Sequence, residues 1–508
     1  MKKRLLVLLL AFSGTCFSQT LYQTHCAGCH GADRLGAIGP ALLPESLSRL
    51  KRPEAARVIR DSRAGVQMPP FKDKLSEEEI AQLVELVYSP VVPAPKWGEA
   101  EIRASRVVHK SPAELRKPGY DADPLNLFVV VEAGDHHVTI LDGGRLEPIR
   151  RFASRYALHG GPKFSPDGRY VYFASRDGWL TKYDLWGLET LVEVRAGINT
   201  RNAAVSSDGS YVMVANYLPH TLALFDSQLN LLKLIEAKDE KGGSSRVSAV
   251  YDAAPRKSFI VALKDLPELW EISYDPKAEA IASGLVHDFR LKEGSFVPGF
   301  LNPRRTQLEE VLDDFFFTPD YRELVGAQRD GKRGQVVNLD VRRAIATLEL
   351  PGLPHLGSGI TWERDGRRVM ASPNLREGVV TVLDVATWKT VKQVPTLGPG
   401  FFLRSHEASR YAWVDSMMSP QGRDTLQLID KQTLEVAARL RPVPGRTLAH
   451  VEFDRYGRYV LASLWEDDGA LIVFDAATLE EVKRIPMKKP VGKYNVANKI
   501  QRSEGTSH

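Results

Sequence analysis

The sequence predicts a small all-α domain followed by an all-β eight-bladed propeller, and three observations predict it. A capped amphipathic helix closes the segment that ends near residue 92. The stretch Pro90-Val-Val-Pro-Ala-Pro95 then reads as a stiff linker. Beyond it, a unit of Asp/Gly turn and short alternating strands recurs at intervals of about 40 to 60 residues. The length of 508 residues accommodates one small domain plus one large repeat architecture and excludes a lone small module. Charged residues make up 26% and the hydrophobic set 43%, ordinary globular proportions that fit neither a disordered chain nor a polytopic membrane protein. Net charge is 68 − 63 = +5, with no run of five or six like charges, so nucleic acid is not an expected partner.

Residues 1–19 read as a secretory signal peptide: Lys2, Lys3 and Arg4 precede the apolar run Leu5 to Phe12, and small or polar residues follow. Cleavage near Ser18 or Gln19 would remove Cys16, one of only three cysteines; lipidation at Cys16 is the alternative. No second apolar run is long enough to span a bilayer, so a mature protein in the periplasm is expected.

In residues 20–92, Cys26-Ala27-Gly28-Cys29-His30 has the C-x-x-C-H spacing that attaches c-type haem through two thioethers, the histidine supplying an iron ligand. A redox or zinc C-x-x-C is the other reading, but no second cysteine pair completes a zinc site. Met68, in the loop Gln67-Met-Pro-Pro-Phe71, is the expected second ligand, with His109 in reserve. Ser76 and Glu79 spell a capping box, and Ile80, Leu83, Val84 and Val87 form the apolar stripe of a terminal helix. The segment resembles a class I cytochrome c domain.

After a linker assigned to residues 93–119, the repeat occupies residues 120–508. Its clear copies run from Ser165-Pro-Asp-Gly to Asp184, from Ser207-Asp-Gly to Asp226, from Arg364-Asp-Gly to Asp384 and from Arg455-Tyr-Gly to Asp475. Weaker copies start near Leu127, Lys257, Tyr321 and Ser409. Eight units of four short strands make a β-propeller; seven blades plus an irregular segment is the competing count.

A cytochrome c domain fused to such a propeller resembles cytochrome cd1 nitrite reductase and its relatives, whose propeller holds d1 haem. The residues that carry the resemblance are Tyr156-Ala-Leu-His159, Gly168-Arg-Tyr, Arg176-Asp177, Asp184-Leu-Trp186, Asn199-Thr-Arg201, Asn216-Tyr-Leu-Pro219, Leu464-Trp465 and Gly492-Lys-Tyr-Asn495-Val. The resemblance implies His159 as the proximal ligand of d1 haem. Arg176 and Arg201 are candidates for its carboxylates, or else surface ion pairs, and Trp465 packs either on the macrocycle or in a blade.

The reductase uses two distal histidines as proton donors, and here the sequence departs from it. Asp313, in Leu312-Asp313-Asp314, stands at the place of one, and Pro354-His355 matches the other. A carboxylate there would repel an anionic substrate, which argues against nitrite reduction. The better resemblance is to the dihydro-haem d1 dehydrogenases, which oxidise a propionate of dihydro-haem d1 to an acrylate in the last step of haem d1 biosynthesis. It implies His355 as a distal ligand and catalytic group, with His450 of Leu448-Ala-His450 and Tyr494 of Gly-Lys-Tyr-Asn as proton-transfer groups. His450 as a capped loop residue and Tyr494 as a polar-tipped core aromatic are the plainer readings. The expected cofactors are covalent haem c and non-covalent haem d1 or its dihydro form. Expected partners are a cytochrome c or cupredoxin electron acceptor and a cytochrome cd1 nitrite reductase as recipient of d1 haem. The alternatives are nitrite reductase itself and a d1-haem carrier or insertion protein with an auxiliary cytochrome.

Overall fold

The computed structural model describes residues 17–37, 39–47, 50–62, 68–111, 117–288, 293–328 and 333–501. Cys16 and most of the signal segment lie outside them. Residues 17–25 are helical and lead through Cys26 into the short helix Ala27–His30. The helix Glu77–Val87 starts where the sequence says: Ser76 Oγ accepts the Glu79 N–H, and the Glu79 carboxylate accepts the Ser76 N–H at 2.8 Å. Its stripe Ile80, Leu83, Val84 and Val87 is buried.

Among the described residues, eight sheets surround one axis. We number the blades one (residues 163–195), two (199–236), three (247–273 and 303–307), four (314–348), five (360–395), six (403–440), seven (448–487) and eight (490–495 with 127–153). Blade eight closes the ring, because the strand Pro490–Asn495 from the end of the chain pairs with Leu127–Glu132 from the start of the propeller. This settles the blade count at eight. Apolar layers lie between neighbouring blades: Phe225 and Tyr172 share the layer of blades one and two, and Trp413 and Phe453 that of blades six and seven.

The Asp that ends the third strand of a unit has a local cause. Its carboxylate accepts the N–H two residues on, as Asp184 does from Trp186 (2.9 Å), Asp226 from Gln228 (2.9 Å) and Asp475 from Ala477 (2.9 Å). Each Asp therefore locks the turn into the fourth strand.

Two features depart from the sequence reading. Part of the expected linker belongs to the propeller: helix Glu99–Ala104 buries Ile102 against blades one and two, and Val107–Val108 pairs with the outer strand Glu189–Arg195. The Pro-rich stretch is the connection proper, and the apolar residues after it find an open strand edge. Blade three also carries an unanticipated hairpin, Ile281–Asp288 with Glu293–Val297, between its third and fourth strands.

Candidate functional site: a histidine-lined cavity on the propeller axis

In the small domain, His30 Nδ1 donates to the Pro40 carbonyl at 2.8 Å, which fixes the tautomer and leaves the Nε2 lone pair for a metal. Burial lowers the imidazole's pKa and keeps it neutral. Gly39 passes so close that a Cβ there would sit 2.6 Å from the ring. Met68 packs on the apolar cluster of Leu21, Tyr22, Phe71 and Leu83, against which Cys26 also packs. The residue held in reserve is used elsewhere: His109 Nε2 meets Glu193 of blade one at 2.9 Å. The strand that docks Val107–Val108 on that blade carries His109 with it, so it is not available as a haem ligand.

On the propeller axis a cavity of about 570 Å³ collects His159, Arg176, Arg201, Asp313, His355, His450, Trp465 and Tyr494, which lie far apart in the chain. The first strand of a blade supplies Arg201, His450 and Tyr494, and loops supply the others. His159 repeats the His30 arrangement, its Nδ1 lying 2.7 Å from the Arg201 carbonyl. His355 does so again, with Nδ1 2.7 Å from the carbonyl of Phe401, whose ring lies 4.1 Å from the imidazole. Both histidines are thereby set to offer Nε2. Burial lowers the pKa of each, and the charges of Arg176 and Arg201 push His159 lower still, so both are neutral ligand forms.

His450 is built differently. Its backbone is left-handed (φ 48°) at a register break between Ala449 and Val451 of the strand Leu448–Phe453. The Asp415 carboxylate accepts its N–H at 3.4 Å, and its carbonyl accepts from Lys493 Nζ. Both ring nitrogens are buried without a hydrogen-bond partner. Burial, then the charges of Lys493, Arg404 and Lys499, hold its pKa well below the usual histidine value. The Tyr494 ring lies 5.1 Å away, and burial pushes its phenol up to about 12. Gly161 and Gly492 leave room for that ring: a Cβ would come within 3.0 Å and 2.6 Å of it.

The indole N–H of Trp465 is likewise buried and unpartnered on the cavity wall. Arg201 lies over the Tyr217 ring at 4.2 Å, with Arg246 and Lys264 at 5.2 and 5.8 Å. The cations on the cavity wall (Arg176, Arg201, Lys264 and Arg404), two neutral imidazoles with free Nε2 atoms and an unpartnered N–H suit a flat, iron-bearing polycarboxylate.

Residues 122–499 match the family model of the cytochrome D1 heme domain. The chain belongs to that family. Residues 18–87 match the model for cytochrome c oxidase, cbb3-type, subunit III, which accounts for the cytochrome c domain. The chain is 54% identical over 501 residues to a dihydro-heme d1 dehydrogenase of Pseudomonas aeruginosa, covering 98% of this chain and 97% of that one. It is 25% identical over 537 residues to a nitrite reductase of Stutzerimonas stutzeri, covering 95% and 92%. A solved structure described as dihydro-heme d1 dehydrogenase NirN in complex with DHE superposes with a TM-score of 0.83 at 54% identity, covering 95% of this chain and 99% of that one.

Within this cytochrome d1 framework, several cavity residues escape sequence reasoning. Lys264 pairs with Asp313 at 2.5 Å, so the carboxylate expected to repel an anion is neutralised in place. Asp314 accepts from the Tyr251 hydroxyl and from the Gly357 N–H, each at 2.9 Å, and burial raises its pKa. Arg404 is buried on the cavity wall with its Nε unpartnered. Only the adjacency of Asp313 and Asp314 was visible beforehand. Their partners are 43 to 63 residues distant and carry no local signature.

Proposed function

We propose that the protein is a dihydro-haem d1 dehydrogenase, which converts a propionate of its tetrapyrrole substrate to an acrylate with release of two protons and two electrons. The observation that carries this is the neutral His450, both ring nitrogens unpartnered, beside Tyr494 on the wall of the histidine-lined cavity.

His159 and His355, each with Nδ1 engaged and Nε2 available, are the residues that would hold the substrate iron. Arg176, Arg201 and Trp465 would fix its carboxylates. On the cavity wall His450 is the group that can accept a proton from carbon, because no protein hydrogen bond competes for its nitrogens. Tyr494, protonated throughout the physiological range, donates a hydrogen bond and steers the carboxylate or the proton. Cys26, Cys29, His30 and Met68 are the residues that would hold haem c, which would supply a one-electron outlet. The Lys493 and Asp415 contacts hold the His450 backbone in its left-handed bulge and so aim the ring.

The export signal in residues 1–19 supports a periplasmic location, where c-type haem attachment takes place. The electron acceptor is proposed to be a small cytochrome c or cupredoxin, and a cytochrome cd1 nitrite reductase the recipient of the finished d1 haem. Anaerobic mixing with dihydro-haem d1, followed optically for formation of d1 haem, tests the assignment.

A further inference from the structure

Dehydrogenation of a CH2–CH2 unit to CH=CH releases two protons and two electrons. The electrons pass singly to haem c and on to an external one-electron acceptor, but the protons need their own way out. His450 has no exposed nitrogen and lies between Phe402 (4.5 Å) and Tyr494. Burial and nearby cations make it a poor place for a proton to stay.

Below the substrate cavity, a second cavity of about 410 Å³ continues the propeller axis. The two share Phe164, Val205, Asp252 and Lys499 as walls. The lower one reaches solvent at the exposed residues Pro166, Ser207, Pro319 and Gln501. Lys499 lies on the closing helix Val496–Gln501, its ammonium 5.7 Å from the centre of the Tyr494 ring and 3.9 Å from Glu452 Oε2. Glu452 shares the strand of His450 and is fully buried. Its Oε1 accepts from Asn498 of the same helix at 3.2 Å, while Oε2 has no hydrogen-bond donor.

A buried carboxylate with an open oxygen, beside a lysine common to both cavities, is more than the fold needs to seat one helix. We propose that protons taken from the substrate leave through the Glu452–Lys499 pair into the lower cavity, and from there to solvent on the opposite face of the propeller. Lys499, which walls both cavities, gives a proton to lower-cavity water and is reprotonated from the Tyr494 and His450 side, while Glu452 keeps its negative charge and holds the ammonium in place, so the pair ends each cycle unchanged. The 3.9 Å gap is one that a single water or a small side-chain rotation closes. This inference rests on the dehydrogenase reading.

The test uses full-length holoprotein, wild type against Glu452→Gln and Lys499→Met, mixed anaerobically with dihydro-haem d1 and an excess one-electron oxidant. A pH-indicator dye reports proton release, and absorbance reports conversion. Both variants are expected to bind dihydro-haem d1 as the wild type does, to release protons about tenfold or more slowly, and to show a larger solvent deuterium effect. Wild-type proton release and isotope effect in either variant overturn the proposal. If Glu452→Gln does not fold, Lys499→Met alone decides. Independently of turnover, a high-resolution crystal structure should show ordered water in the lower cavity within hydrogen-bond reach of Lys499, and a dry cavity overturns the route. A wild type that binds dihydro-haem d1 but never converts it overturns the dehydrogenase reading, and the exit route with it.

Discussion

The rings of His450 and Tyr494 meet edge to face at 5.1 Å, one on the first strand of blade seven and the other on the closing strand of blade eight. The pair joins blade seven to the strand Pro490–Asn495, which closes the ring by pairing with Leu127–Glu132. The chemistry assigned to it leads to the first prediction. Tyr494→Phe and His450→Ala should each slow conversion of dihydro-haem d1 by about 10²- to 10⁴-fold, with little change in its equilibrium affinity. Stopped-flow absorbance and anaerobic titration measure the two quantities. Wild-type conversion in both variants would make the residues structural.

The pH dependence follows from the same burial. His450 has its pKa held well below that of a free histidine, so the neutral base is present above the lowered value and lost only below it. Conversion should therefore stay flat as pH falls through 6.5, the ordinary histidine value. Stability has the matching sign: below that pH the unfolded chain binds a proton at this position that the native state refuses, so the contribution turns destabilising. A rate that halves near pH 6.5 and is restored to flatness by no change at other histidines would contradict the assignment.

His159→Ala should weaken binding of dihydro-haem d1 far more than Asp313→Ala does. The free Nε2 of His159 is set by its bond to the Arg201 carbonyl, whereas Asp313 is already paired with Lys264. Equal affinity of wild type and the His159 variant, by optical titration, would defeat the ligand role.

Met68→Ala should abolish the methionine signature of the reduced low-spin c haem and lower its potential. Because His109 is engaged with Glu193, it should not take over. In the same domain, Ser76→Ala removes half of an observed capping box and should destabilise the domain by about 1 kcal/mol, measurable as a lower melting temperature with the haem spectrum intact.

Nitrite turnover of the d1-haem-loaded protein should be negligible, because His355 stands alone where the reductase has two histidines. The Lys264 pair removes the charge repulsion once expected from Asp313 but leaves no second imidazole proton donor at that position. Turnover comparable to that of a true cytochrome cd1 reductase would reverse the assignment.

Much of this was legible in the sequence wherever the signal is local. The haem-attachment motif, the Ser76 and Glu79 cap and the Asp that locks the last turn of most blades all act within a few residues, so spacing alone identifies them. That turn chemistry left seven or eight blades open, and the pairing of Pro490–Asn495 with Leu127–Glu132 settles eight. The cavity residues His159, His355, His450 and Tyr494 were reached through resemblance to a family, since no periodicity marks them. What stayed hidden has no local signature: the Lys264 partner of Asp313 and the Tyr251 to Asp314 bond join neighbouring blades three and four, and the left-handed bulge at His450 is a register break within blade seven. The docking of Val107–Val108 on blade one was missed for a related reason, because a two-residue strand is too short to show alternation.

The central claim is tested most directly by mixing the haem c-loaded protein anaerobically with dihydro-haem d1 and a one-electron acceptor and recording the absorbance spectrum over time. The account predicts conversion of the dihydro-haem spectrum to that of d1 haem, with two electrons delivered per molecule formed. Tight binding with an unchanged dihydro-haem spectrum, while haem c remains intact and oxidised, would contradict it and leave a carrier in place of the enzyme.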